Sequence, residues 1–296
     1  MHGSARENDP AGDGTLSPSR RLPSRFVLLD RALEVFPIFR LSDSSEESAI
    51  VFAPEAGGRW RVLPNPGDRL PGTFDQDVFI EVCRRYHDAG GPADGVVHFT
   101  LHAFLRSIGR RADGRTYEQL RSSLSRLERT TLESNGAYWS AATGSVLDLR
   151  FSILSGVSID RRRTSDREQL ALFPSITAFE PGDARVILSP PLRSNISVGH
   201  VSLLSSALYF ALSSPVARRL YRLLEVARAE GSLAWRLPLS QLAERVPLTQ
   251  RYPSHLQRVL QPAHEMLVSS GIVRSADVHQ VRRQWVVDYV LASRPK

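Results

Sequence analysis

A chain of 296 residues with 42% hydrophobic content is long enough for two domains that each bury a core. Its formal charge of +7 favours a polyanionic partner, nucleic acid first, and Lys296 is the only lysine among its 38 lysines and arginines. That excludes a Walker A phosphate loop and Schiff-base chemistry, and the lone Cys83 excludes an intramolecular disulfide and a cysteine-pair zinc site.

No apolar run reaches the roughly 20 residues of a membrane span or has the form of a secretory leader, so the expected location is the cytoplasm, with no membrane partner. Residues 1–24 are rich in Gly, Ser, Pro, Asp and Arg and are expected to form a disordered tail. Folded structure then begins near Phe26, with Phe26-Val27-Leu28-Leu29 and Phe36-Pro37-Ile38-Phe39 as apolar anchors. Ala49–Phe52 and Trp60–Leu63, separated by Pro54-Glu55-Ala56-Gly57-Gly58, read as a hairpin. Asp75-Gln76-Asp77 opens a helix whose buried stripe is Phe79, Ile80, Val82, Cys83 and Tyr86. The two aspartates are read as an N-cap and a favourable helix-start charge rather than a metal site, since no third carboxylate lies nearby.

Val97-His98-Phe99-Thr100 reads as a short strand, with Thr100 capping a helix to Ile108 and Gly109–Gly114 making a turn. The next helix, about Arg115–Arg129, turns Tyr117, Leu120, Leu124 and Leu127 inward. Its opposite face then carries Arg115, Glu118, Ser122, Ser125, Arg126 and Arg129, flanked by Gln119 and Arg121. Strand pattern in Thr130–Ser140, a Gly144 turn, and Val146–Ile159 read as a wing, followed by Arg161-Arg162-Arg163 in a loop that could grip phosphate. A strand at Ala184–Leu188 and a short helix after Pro190-Pro191 follow.

From Ser202 to Glu230 the pattern reads as helical, with Leu220, Tyr221, Leu223, Leu224 and Val226 around Arg218, Arg219 and Arg222. Ala234-Trp235-Arg236-Leu237 is then a strand, Leu239–Val246 a helix, Pro247–Tyr252 a turn, and Pro253–Ser269 a helix ended by Gly271 and kinked at Pro262. Leu256, Leu260, Ala263 and Leu267 face inward, which leaves Ser254, Arg258, Gln261 and Glu265 outward, with His255 and Gln257 on the flanks. Ile272-Val273-Arg274 and Gln280–Leu291 read as a closing hairpin, with Trp285, Val287, Tyr289 and Leu291 on one face.

One order of elements is therefore written twice, from Val97 to about Ser158 and from Ala234 to about Ala292. It describes an α+β protein of two tandem winged-helix domains, 25–198 and 199–296, behind the disordered tail. Arginine on such an outward helix face can hold guanine O6 and N7, and glutamine can hold adenine. The expected DNA contacts are Arg115, Gln119, Arg121, Ser122, Ser125, Arg126, Arg129, Arg161, Arg162, Arg163, Ser254, His255, Gln257, Arg258 and Gln261. No cofactor, metal or catalytic residue is expected. His98 and His102 lack a third ligand, and His255, Arg258, Trp285 and Tyr289 imitate a tyrosine recombinase only in type, since Tyr289 falls on a core-facing strand and no lysine can act as general acid. A winged-helix transcriptional repressor would use the same recognition chemistry and stays open as the alternative.

The chain resembles the plasmid replication initiator protein A family from about Glu34 to Leu291. The resemblance is carried by Glu34-Val35-Phe36-Pro37-Ile38-Phe39-Arg40-Leu41-Ser42, by Gly72-Thr73-Phe74-Asp75-Gln76-Asp77, and by Phe104-Leu105 through Gly109-Arg110 to Tyr117-Glu118-Gln119-Leu120. Leu124–Leu132 and Tyr209-Phe210-Ala211-Leu212-Ser213-Ser214-Pro215, running into Arg218-Arg219-Leu220-Tyr221, complete it. It implies a non-enzymatic initiator with tandem winged helices that binds direct repeats in double-stranded origin DNA, helps open the duplex, and brings in host helicase and initiator proteins at the plasmid DNA of a bacterial nucleoid. Similar initiators also repress their own promoters and switch between monomer and homodimer. Where the family commonly has lysine and asparagine, this chain has arginine, serine or glutamate, as at Glu133-Ser134, so the site sequence does not carry over.

Overall fold

Phe26–Asp30 forms β1, and the Asp30 carboxylate at its end accepts the Ala32 N–H at 3.0 Å, which starts the one-turn helix α1, Arg31–Glu34. The computed structural model describes residues 26–41, 48–160, 183–250 and 252–293; the expected tail and Arg161-Arg162-Arg163 lie outside the described residues. β2 (Ile50–Phe52) and β3 (Arg59–Leu63) pair antiparallel with Phe52 opposite Trp60, as their alternation and the turn residues between them led us to expect. α2 (Thr73–Asp88) opens with Asp75 accepting the Gly72 N–H at 2.6 Å, a helix-start role for one of the paired aspartates. Cys83 is buried on this helix, and burial pushes its thiol up, away from the reactive thiolate. β4 (Val96–Thr100), α3 (Leu101–Ser107) and α4 (Gly114–Arg129) follow, with Thr100 and Asp113 capping α3 and α4.

The expected wing divides between two sheets. β5 (Thr131–Ser140) and β6 (Ser145–Phe151) do turn at Gly144, whose φ of 65° suits glycine, but they join the first hairpin in a sheet of order β2-β3-β5-β6. The chain then breaks at Ser152, and β7 (Leu154–Ile159) pairs with β8 (Asp183–Leu188) in a second sheet of order β4-β8-β7. The break falls where Ile153 and Leu154 are both buried, because two adjacent inward side chains end the period of two. α5 (Pro190–Ser197) closes this half as expected.

The stretch expected to be one helical run from Ser202 is instead β9 (Val201–Ser205), α6 (Ser206–Ala211) and α7 (Pro215–Ala229). Ser205 and Ser214 each cap the helix that follows, and Pro215 sits at the first position of α7. β10 (Ala234–Pro238), α8 (Leu239–Arg245) and α9 (Pro253–Ser269) come next, and α9 runs through Pro262 as one helix, with Gly271 (φ 70°) just past its end. β11 (Val273–Val281) and β12 (Gln284–Leu291) complete a sheet of order β10-β12-β11. Their turn lies at Arg282-Arg283, several residues later than the sequence pattern suggested.

Both halves thus repeat a long helix, a strand, two helices and two strands, and both sheets have the order first, third, second. The β5–β6 hairpin is an addition inserted into the first copy between α4 and β7. The leading strands of the two copies pair with each other, β1 antiparallel to β9, from Phe26 opposite Ser205 to Asp30 opposite Val201. This ladder and a single connected cluster of buried apolar residues both cross the boundary expected near residue 198.

Candidate nucleic-acid interface

α4 buries Leu120, Leu124 and Leu127 and half-buries Tyr117, which leaves Arg115, Glu118, Gln119, Ser122 and Arg129 in solvent. Ser125 and Arg121 are half-buried, and Arg121 is ion-paired with Glu118 one turn back on the same face. Arg126 is a correction to the expected outward face: it is only 8% exposed, and Nη1 donates to the Asp75 carboxylate at 2.6 Å. The buried stripe widens toward Ser123 and Arg126 because α2 packs on that side, and Asp75 of α2 supplies the partner that a buried guanidinium needs. Arg126 therefore docks α4 against α2.

α9 buries Leu256, Leu260, Ala263 and Leu267, with Ser254, His255, Arg258, Gln261 and Glu265 exposed and Gln257 half-buried, matching the expected division. Gln261 Nε2 donates to Glu265 at 2.8 Å. The helix start lacks a side-chain cap: its N-cap is Tyr252, which is 70% exposed and stands edge-on to His255 at 5.7 Å between rings. Pro253 has no N–H and the His255 and Leu256 N–H groups both donate to the Tyr252 carbonyl at 3.0 Å, which leaves the Ser254 N–H as the donor for a phosphate oxygen. By contrast, at α4 Asp113 already accepts the Thr116 N–H at 3.0 Å.

Sequence reasoning did not count two exposed cations of the last hairpin among its contacts. Arg282 and Arg283 form the two-residue turn between β11 and β12, both exposed, with φ of 46° and 69°. Left-handed conformation at both positions is the habit of Asn-Gly, so the usual turn signal was missing from the sequence. A two-residue gap between strands of matching alternation was the one cue present. Arg106 at the end of α3 and Arg110 and Arg111 in the α3–α4 turn are exposed, and Arg110 lies 3.9 Å from Asp77.

Tyr289, the one nucleophile weighed for DNA cleavage, is 1% exposed, stacked on Trp235 and hydrogen-bonded to His264 Nε2 at 2.8 Å. Burial pushes its hydroxyl up and lowers His264 to about 4. His98 and His102 are both exposed, and His102 shares a hydrogen bond with the Tyr117 hydroxyl. Among the described residues no three His, Cys, Asp or Glu side chains converge as metal ligands, and no helix is long and apolar enough to cross a membrane.

The paired helix-and-sheet units define a mixed α/β fold. Domains 2 and 3 of RctB match 90% of this chain and 100% of their own length at 12% identity and a TM-score of 0.55. A second crystal structure of RctB domains 2–3 matches 88% of this chain and 97% of its own at 10% identity and a TM-score of 0.53. The Pi initiator protein in complex with iteron DNA matches 75% of this chain and 94% of its own at 13% identity and a TM-score of 0.49. No curated protein matches the sequence. The chain belongs to the replication initiator protein A family, whose model matches residues 30–266. That span takes in both long helices and most of α9 and stops before the β11–β12 hairpin.

Proposed function

We propose that this protein is a plasmid replication initiator that binds repeated sites in double-stranded origin DNA through two tandem winged helices, opens the adjacent duplex and recruits host helicase and initiator proteins. The observation that supports this most is the repeat itself. The last helix of each copy, α4 and α9, follows the same elements, carries a polar and partly cationic face in solvent, and precedes the strands of a sheet with the same order. Family membership adds the replication context. In this reading α4 and α9 enter the major groove, where Gln119, Arg121, Gln257 and Arg258 meet base edges, while Arg115, Arg129 and the Arg282-Arg283 turn meet phosphates. The reading has no chemical step: recognition and melting use contacts, and the protein acts in the cytoplasm on plasmid DNA.

Footprinting on DNA flanking the gene tests this, with protected direct repeats as the expected result. A plasmid carrying those repeats should replicate only when the gene is present. Protection without any replication dependence would turn the reading to a repressor, and nicking of the supercoiled origin would turn it to an enzyme.

A further inference from the structure

α7 is the long helix of the second copy, and three of its arginines point into the first copy rather than into solvent. Arg218 Nη1 donates to both oxygens of Asp77 on α2, at 2.7 and 2.6 Å. Arg219 donates to the carbonyls of Glu34 and Phe36 at 2.9 and 2.7 Å. Arg222 forks onto the Glu34 carboxylate with two bonds of 2.7 Å and reaches Gln76 of α2 at 3.1 Å. Arg219 and Arg222 are 2% and 0% exposed, so solvent neither competes for these bonds nor screens them.

The same row also reaches both turns that precede the outward helices. Asp77, held by Arg218 and by the Tyr209 hydroxyl at 3.0 Å, lies beside Arg110 of the α3–α4 turn. Arg219 Nε donates at 3.1 Å to the carbonyl of Arg245, the last residue of α8 before the turn into α9. A guanidinium presents its donors in a fixed plane, so three of them at successive faces of one helix leave little freedom in how the copies sit together.

We propose that Arg218, Arg219 and Arg222 are positioning residues that hold α4 and α9 at one separation and angle, so that the protein accepts DNA only when the two halves of its site stand at one interval. The DNA half of this statement rests on the function proposed above; the fixed geometry does not. Two measurements separate them. Spin labels placed at Ser122→Cys and Ser254→Cys report the α4–α9 distance without DNA, since Cys83 is buried and takes no label. The otherwise native chain should give one narrow distance distribution, and Asp77→Asn should at least double its width. Should that variant not fold, Asp77→Asn/Arg218→Met removes both charges together and serves the same comparison. A broad distribution in the native chain, or an unchanged width in the variants, overturns the proposal.

The second measurement uses the repeat protected in the footprint, synthesised with the interval between its halves changed by one to five base pairs. The native protein should lose at least tenfold in affinity when the interval changes by two base pairs, and Asp77→Asn should reduce that ratio to threefold or less. Arg258→Ala should weaken both duplexes equally and leave the ratio intact. Equal tolerance of spacing by native protein and Asp77→Asn overturns the spacing role. Absence of any footprint would instead count against the function, while the distance distribution still decides the clamp.

Discussion

The two copies repeat one topology but stabilise it with opposite chemistry. The first buries an acid: Asp30 accepts from the Ala32 N–H at 3.0 Å, the Tyr138 hydroxyl at 2.6 Å and Asn195 at 3.0 Å, tying β1 to β5 and α5. The second buries a base, His264 of α9, against Tyr289 of β12. The first also locks its outward helix at both ends, with Asp113 on the start and Arg126 held by Asp75, while α9 starts without a side-chain cap. The first copy is thus a tied platform, and the second presents a freer helix end and an exposed cationic turn.

The largest effect should come from the seam that joins the halves. Glu34→Ala leaves the Arg222 guanidinium, 0% exposed, without its carboxylate. Breaking one partner of a buried pair costs about 3–5 kcal/mol. Denaturant unfolding of the variant should show a loss of that size across both copies at once. If only one copy melted early, the seam would not be a shared element.

A pH titration sharpens the contrast. Burial lifts the Asp30 carboxyl to about 7, so between pH 4 and 7 the folded state keeps a proton that the unfolded chain has released. Its contribution to stability therefore falls as pH rises through that window. Burial lowers His264 to about 4, so between pH 6.5 and 4 the unfolded chain takes up a proton that the folded state refuses, and stability falls as pH drops. At about 1.4 kcal/mol per unit, the two contributions are on the order of 4 and 3 kcal/mol and oppose each other. Relative to the native protein, Asp30→Asn should gain stability as pH rises from 4 to 7, and His264→Gln should gain as pH falls from 6.5 to 4. Parallel stability curves for all three proteins would remove the opposition between the copies.

Next in size are the outward faces of α4 and α9. Arg121→Ala in the first copy and Arg258→Ala in the second should each weaken binding to the footprinted repeat by about 1–3 kcal/mol while melting curves stay unchanged. Because Arg121 is already paired with Glu118 and Arg258 is exposed, Arg258→Ala should have the larger effect. The reverse order would make the first copy the main reader.

The parts of this arrangement visible in the sequence were those set by local periodicity. Leu120-Leu124-Leu127 and Leu256-Leu260-Leu267 fall at helical spacing and place α4 and α9, and Pro54 through Gly58 marks the first hairpin. What stayed hidden depends on partners distant in the chain. Val201–Ser205 suits helix or strand equally until β1 lies beside it, and Ile153-Leu154 marks a change of sheet only once β8 is present. Arg126, Arg219 and Arg222 were inward residues written in a surface residue's type, and their burial follows from Asp75 and Glu34, 51 and 188 positions away in the ion pairs of Arg126 and Arg222. The outward site was therefore legible as two helix faces, while the seam that sets their relation was not.

The smallest expected effect tests the freer half at its tip. Two non-glycine residues in succession at positive φ cost on the order of 1 kcal/mol or more, and Arg282-Arg283 bears that cost in an exposed turn where no described protein group rewards it. Arg282→Asn/Arg283→Gly installs the residues that a two-residue hairpin turn favours. Thermal stability should then rise by about 1 kcal/mol, while DNA affinity falls and its dependence on salt becomes shallower by nearly two released counterions. A gain in stability with unchanged salt dependence would mean that the turn never meets phosphate. A loss of stability would mean that the arginines hold the hairpin by contacts of their own, and the exposed face of α9 would then have to account for any grip of the second copy on DNA alone.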